Sequence, residues 1–155
     1  MAESAGLSGL RRAEAADIPA LVALQQAAYA RNRPLLGVEP VPLLADYADI
    51  LATQEIWLAE NRGALEGALI LDLREGAFLI WSVAVAPAAQ GHGVGNRLLA
   101  AADQRARELG HATLRLYTGE PLTGNIAWYG RHGYAVERTE ALPERRLVHM
   151  VKTLQ

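Results

Sequence analysis

The stretch from Val83 to Asn96, V-A-V-A-P-A-A-Q-G-H-G-V-G-N, leaves the backbone few options. It follows an apolar run, Ala77 to Ala86, that is hydrophobic at almost every position and so reads as a strand covered on both faces. Pro87 stops that run because it has no N–H for a sheet ladder. Gly91, Gly93 and Gly95 then let the chain turn tightly and approach a ligand with no Cβ in the way. From Val94 to Leu109 the apolar residues Val94, Leu98, Ala101, Ala102, Ala106 and Leu109 fall on one helical face, and Gly110 is placed as the C′ residue. A helix start presents unpaired N–H groups and the positive end of its dipole. Strand, glycine turn and helix start together make a phosphate site.

The rest of the chain supplies the sheet this unit needs. Leu7 to Ala13 reads as a short first strand. Asp17 is placed as an N-cap, with Pro19 behind it and Ile18, Leu21, Val22, Leu24 and Ala28 at helical spacing, the helix ending near Arg31 to Pro34. Pro34 to Pro42 reads as a loop and Leu43 to Leu51 as a second helix. Glu55–Glu60 and Leu65–Leu73 are strands joined by the hairpin signal Asn61-Arg62-Gly63, and Arg74-Glu75-Gly76 turns into the apolar run. Ala112–Tyr117 is a further strand, Thr123–His132 a short helix closed by Gly133, and Tyr134–Thr139 with Arg146–Thr153 a final strand pair. The predicted order is β-α-α-β-β-β-α-β-α-β-β, an α/β chain whose mixed sheet carries helices on its faces. No linker or repeat divides residues 1–155, so one domain is expected.

Composition narrows the functions. The chain is 51% hydrophobic and 21% charged with a net charge of −2, and its basic residues form no stripe, so nucleic-acid binding is not expected. No apolar run is long enough to span a bilayer, and Met1–Gly9 lacks a basic start ahead of an apolar stretch, so neither a membrane nor a secretory signal is expected. The absence of cysteine excludes disulfides, thiolate metal sites and a cysteine nucleophile. It is compatible with a cytoplasmic location. Lys152 is the only lysine, and that arginine bias with abundant Ala, Leu and Gly fits a GC-rich bacterial genome.

Spacing decides what the glycine loop holds. A P-loop needs Lys and Ser/Thr after its last glycine, and neither is present. A dinucleotide fingerprint needs G-x-G-x-x-G after a first strand, whereas here the third glycine comes one residue early and mid-chain. Gln90-Gly91-His92-Gly93-Val94-Gly95 instead resembles the Q/R-x-x-G-x-G/A loop of the GNAT superfamily of acetyl-CoA-dependent N-acetyltransferases, with the V-A-V-x-P strand end typical of it. Asn125-Ile126-Ala127-Trp128-Tyr129-Gly130-Arg131-His132-Gly133-Tyr134 is similar to that superfamily's later N-x-x-x-Y-x-x-x-G-[FY] motif, with Asn125 and Tyr129 on one helix face. The element order resembles the GNAT fold over most of the chain.

That resemblance implies acetyl-CoA as co-substrate, no metal, and an amine acceptor that attacks the thioester directly. It implies that the strands at Ala77–Ala86 and Ala112–Tyr117 splay to admit the pantetheine arm, held by the backbone of Val83, Ala84 and Val85. The N–H groups of Gln90, Gly91, His92, Gly93, Val94, Gly95 and Asn96 would hold the pyrophosphate, with Asn125 and Tyr129 also lining the cofactor. A strand N–H near Val85 would steady the thioester oxygen. Tyr129 matches the residue that protonates the departing thiolate. Many relatives carry a base glutamate on the fourth strand, but Leu79-Ile80-Trp81-Ser82 has no carboxylate and Trp81 takes its place. Glu120 is then the nearest polar candidate for the base, against ordered water. The acceptor, a small molecule or a peptide, would meet a wall between Tyr29 and Tyr47, where Tyr29, Arg31, Arg33, Glu39, Asp46 and Tyr47 are candidates. The competing reading is a non-catalytic acyl-CoA-binding module of the same fold. A homodimer is one possibility for the oligomeric state.

Overall fold

The computed structural model describes residue 7 and residues 9–155; residues 1–6 and 8, with most of the stretch read for a signal and one position of the first predicted strand, lie outside the described residues. The elements are β1 (Arg11–Arg12), α1 (Ile18–Tyr29), α2 (Asn32–Leu36), α3 (Tyr47–Thr53), β2 (Glu55–Asn61), β3 (Ala64–Asp72), β4 (Leu79–Val85), α4 (Val94–Glu108), β5 (Thr113–Gly119), α5 (Thr123–Arg131), β6 (Ala135–Ala141) and β7 (Arg146–Thr153). They build a seven-stranded mixed sheet in the order β1-β2-β3-β4-β5-β7-β6. All pairs are antiparallel except β4 with β5.

Alternation along the strands sorts the core into two layers. On β2, Ile56 and Leu58 face α1 and α3 with Leu21, Leu24 and Ile50, while Trp57 and Ala59 face α4 with Leu98, Ala101, Ala102 and Ala106. Full burial of one such leucine is worth roughly 1.5–3 kcal/mol, so these two stripes hold the helices to the sheet. Arg105 adds a fork to Glu55, Nε–Oε1 3.0 Å and Nη2–Oε2 2.7 Å, tying the end of α4 to β2. The hairpin signal is realised as Arg62 and Gly63, both at positive φ (55° and 81°), between the paired residues Asn61 and Ala64.

Several expectations change. The first strand shrinks to Arg11–Arg12, because Leu7 and Leu10 close a turn (N–H to carbonyl 2.8 Å) and drop their side chains into the α4-side core. Asp17 stands at the N-cap position of α1, yet its carboxylate does not cap that helix; its oxygens go to the Arg11 guanidinium at 2.9 and 2.7 Å, and one of them also takes the Glu14 amide at 2.7 Å. The segment read as a loop from Pro34 contains part of α2, since a proline is tolerated in a first helical turn, and Gly37 ends it at φ 73°. The second helix begins at Tyr47 rather than Leu43, because Asp46 takes the amides of Ala48 and Asp49 and sets the start there. Leu109, counted on the apolar face, is 41% exposed, since it follows the last turn of α4. Strand ends elsewhere move by a few residues, with β4 confined to Leu79–Val85 and β5 running on to Gly119.

Candidate functional site

Among the described residues the one parallel pair in the sheet, β4 with β5, is a short seam between two long central strands. β4 and β5 share just two register pairs, Leu79 with Arg115 and Ile80 with Leu116, and beyond them the strands part. On its other side β4 stays paired to β3 up to Val85. Ala86 donates to the Glu66 carbonyl at 2.8 Å. Because backbone groups alternate along a strand, the N–H and C=O of Val83 and Val85 then point away from β3, into the gap. The gap therefore offers backbone groups that no strand takes. The Tyr29 hydroxyl reaches the Val83 carbonyl from that side, at 3.4 Å.

Opposite Trp81 the ladder slips: Ile70 pairs with Ser82 and Leu71 with Ile80, which leaves Trp81 as the extra residue of a β-bulge. The indole packs edge-on to Tyr47 with ring centroids 6.4 Å apart. Ser82 is buried beside it and joins a polar chain, with Tyr29 Oη at 2.9 Å and Gln25 Nε2 at 3.1 Å, and Gln25 in turn donates to Tyr47 Oη at 2.9 Å.

At the open end of β4 lies a groove of about 690 Å³. It is lined by ten of the eleven residues proposed above to hold the cofactor apart from Tyr129, namely Val83, Ala84, Val85, Gln90, Gly91, Gly93, Val94, Gly95, Asn96 and Asn125, and by Tyr129 itself. His92 is the exception: exposed and outside the groove, it donates its N–H to the Ala89 carbonyl at 3.3 Å. Gln90 similarly donates to Pro87 at 3.4 Å, so these two amides serve the turn. Gly93 is the N-cap of α4 at φ 82°, and the first helical bond is Arg97 N–H to Gly93 at 3.0 Å. The amides of Val94, Gly95 and Asn96 therefore precede any carbonyl of their own helix. Gly95 also lets α5 pack closely, because an added Cβ would sit 3.0 Å from Trp128 Cζ2 on that helix. Arg31 is the sole charged residue among the described residues lining the groove, held by the side chain of Gln90. The glycine cradle, its free amides and this cation fit an anionic pyrophosphate.

A second, more enclosed pocket of about 100 Å³ lies on the far side of the junction. Tyr29, Asn32, Val83, Leu122, Asn125 and Tyr129 line both cavities, so the two meet at the splayed strands. Tyr129 is half-buried, its ring set 5.9 Å from that of Tyr134, edge-on, and 5.1 Å from that of Trp128. Burial, with Tyr29 close by, pushes its phenol above the ordinary tyrosine value, which keeps it protonated through the neutral range.

Of the acceptor-wall candidates, Tyr29 lines this pocket and Arg31 belongs to the groove. Arg33 and Glu39 pair with each other at 2.5 Å, Asp46 caps α3, and Tyr47 is buried in the α1-side core. The wall is instead made by Asn32, Leu36 and Pro40 to Pro42. Glu120 lines neither cavity; its carboxylate takes Arg146 Nε at 3.1 Å. No carboxylate or imidazole lines either cavity among the described residues. Ser82, Tyr117 and Arg145 also face the pocket, and no motif in the sequence singles them out. Among the described residues no group of three His, Cys, Asp or Glu could hold a metal, and no helix is long and apolar enough to cross a membrane.

A family model described as an acetyltransferase (GNAT) domain matches residues 52–136. No curated protein matches the sequence. Among solved structures, the fold is similar to the ribosomal-protein-alanine N-acetyltransferase from Brucella melitensis, at 24% identity and TM-score 0.70 over 94% of this chain and 99% of that one. It is similar to an N-acetyltransferase from Thermoplasma acidophilum in complex with coenzyme A, at 15% identity and TM-score 0.75 over 93% and 97%. A GNAT family acetyltransferase from Elizabethkingia anophelis with acetyl-CoA bound is similar at 21% identity and TM-score 0.62 over 75% and 92%.

Proposed function

The chain belongs to the GNAT acetyltransferase family, and from that premise we propose that it moves the acetyl group of acetyl-CoA to the nitrogen of a small amine, with Tyr129 as the general acid. The observation that carries this reading is the junction: the glycine-cradled groove and the enclosed pocket meet where Tyr129 and Val83 line both. The groove takes the pyrophosphate on the amides of Val94, Gly95 and Asn96. The pantetheine arm lies between β4 and β5 on the backbone groups of Val83 and Val85 that no strand takes. The acceptor nitrogen, in the pocket, attacks the thioester carbon. A strand N–H near Val85 steadies the oxyanion. The C–S bond breaks with its electron pair on sulfur, which takes the Tyr129 proton; the proton lost by the nitrogen leaves to solvent, and solvent restores the phenol. Two cavities are more than a module that merely binds an acyl-CoA would need.

The test is release of CoA thiol from acetyl-CoA over a panel of amines, with the mass of the acetylated product recorded. A protein that binds acetyl-CoA but yields no product with any amine in the panel would contradict the reading.

The pH dependence follows from the lining. With no carboxylate or imidazole in either cavity among the described residues, the amine has to lose its proton through water. An aliphatic amine titrates near pH 10, so only ~10⁻³ of it is free at neutrality. The value of kcat/KM is expected to rise about tenfold per pH unit towards the acceptor's own pKa, and the raised phenol of Tyr129 stays protonated over that climb. Glu120→Gln, which removes one side of an exposed ion pair, should lower activity by less than about tenfold. A limb near pH 6 to 7 that disappears in Glu120→Gln would instead make Glu120 the base.

A further inference from the structure

We propose that the acceptor carries a carboxylate as well as its amine, a small amino acid with an apolar side group, and that Arg145 holds the carboxylate; this rests on the acetyl-transfer reading for the fate of the amine. Arg145 is the only charged residue among the described residues lining the enclosed pocket, and it does not line the groove. It stands in the turn between β6 and β7, where its carbonyl accepts from the Leu142 amide at 2.8 Å.

The side chain is half-buried and, among the described residues, makes one hydrogen bond, Nη2 to the Glu39 carbonyl at 3.1 Å. The Glu39 carboxylate that could neutralise it is taken by Arg33. Among the described residues Arg145 therefore has no carboxylate partner. A guanidinium has five N–H donors in a planar fork, and a partly buried one without a counter-ion is stabilised by an anion that arrives with the ligand. A carboxylate matches that fork two bonds at a time.

The same lining argues against polycationic acceptors. A second ammonium would be desolvated with no anion to meet it. The remaining walls, with Leu36, Val41, Ile80 and Leu147, suit an apolar body between the two polar ends. Tyr129 and the splayed strands receive the amine at the junction, and Arg145 receives the carboxylate within the pocket.

The experiment compares apolar amino acids with their carboxamides and their decarboxylated amines, per free amine, in wild type, Arg145→Gln and Arg145→Lys. Binding of the same compounds to the CoA-loaded protein is measured by calorimetry as a readout independent of turnover. The acids are expected to exceed the amides by on the order of 30-fold in kcat/KM, mostly through KM, with Arg145→Gln bringing the acid down to the amide and Arg145→Lys keeping part of the preference. Acetylation of uncharged-tail amines as fast as the acids, or an Arg145→Gln variant that still prefers acids, overturns the carboxylate site and leaves acetyl transfer standing. Acids that bind in an Arg145-dependent way without thiol release would overturn the transfer reading and support the site. Absence of both binding and turnover for every acid overturns the site.

Discussion

Gly93→Val is expected to weaken acetyl-CoA binding by at least about 100-fold in a protein that still folds. Gly93 sits at φ 82° and ψ 4°, and an added Cβ there meets nothing within 4 Å, so the effect is one of backbone and not of collision. The left-handed conformation costs an ordinary residue roughly 1–2 kcal/mol and suits a β-branched one worst. The chain relieves that cost by rotating out of the left-handed region, which turns the neighbouring peptide planes and with them the amide of Val94. Hydrogen bonds to a charged group contribute about 1.5–3 kcal/mol each, so misdirecting even one or two of these donors accounts for the loss. The core under α4, with Leu98, Ala101, Ala102 and Ala106, is untouched and should keep the melting transition cooperative. Gly76→Val is the control, since Gly76 has a similar φ of 77° and an equally open surrounding but lies in the β3–β4 turn, outside the groove. Calorimetric titration of both variants decides. Near-native affinity in a folded Gly93→Val protein would sink the pyrophosphate assignment.

Tyr129→Phe should lower kcat on the order of 10²-fold, the usual range for an acid–base group, and leave acetyl-CoA affinity within about threefold. The ring stays, and its contacts with Tyr134 and Trp128 are made by carbon, so packing survives the substitution. What disappears is the donor that the transfer reading sets beside the departing sulfur. A CoA thiol titrates near about 8.5, so a thiolate expelled into a half-buried site gains from a phenol that burial keeps protonated. Single-turnover measurement isolates the chemical step from product release. An unchanged single-turnover rate in the Phe variant would return Tyr129 to a packing role.

Local rules reached most of the elements because those rules act within a few residues. The period of Leu98, Ala101, Ala102 and Ala106 marks α4, and the apolar run before Pro87 marks β4. The three glycines with their strand and helix marked the turn that leads into α4, since the positive φ of Gly91 and Gly93 and the close approach of Trp128 at Gly95 suit that residue type. Local preference lost wherever a contact from elsewhere outweighed it. Asp17 turned from the start of α1 to Arg11 and the Glu14 amide, and Leu7 and Leu10 filled a core instead of extending a strand.

The enclosed pocket belongs to tertiary structure. The parting of β4 and β5, and the bulge at Trp81, depend on register between strands, which no single strand encodes. Arg145 lines the pocket with its guanidinium on the Glu39 carbonyl, 106 residues away along the chain, while the neighbouring Arg146 turns outward to Glu120. Two adjacent arginines with the same propensities thus receive opposite surroundings. The amino-acid order settled which segments turn and which pair, because those preferences are local; which side chains share a cavity was settled only when distant segments closed around it and burial made a lone charge matter.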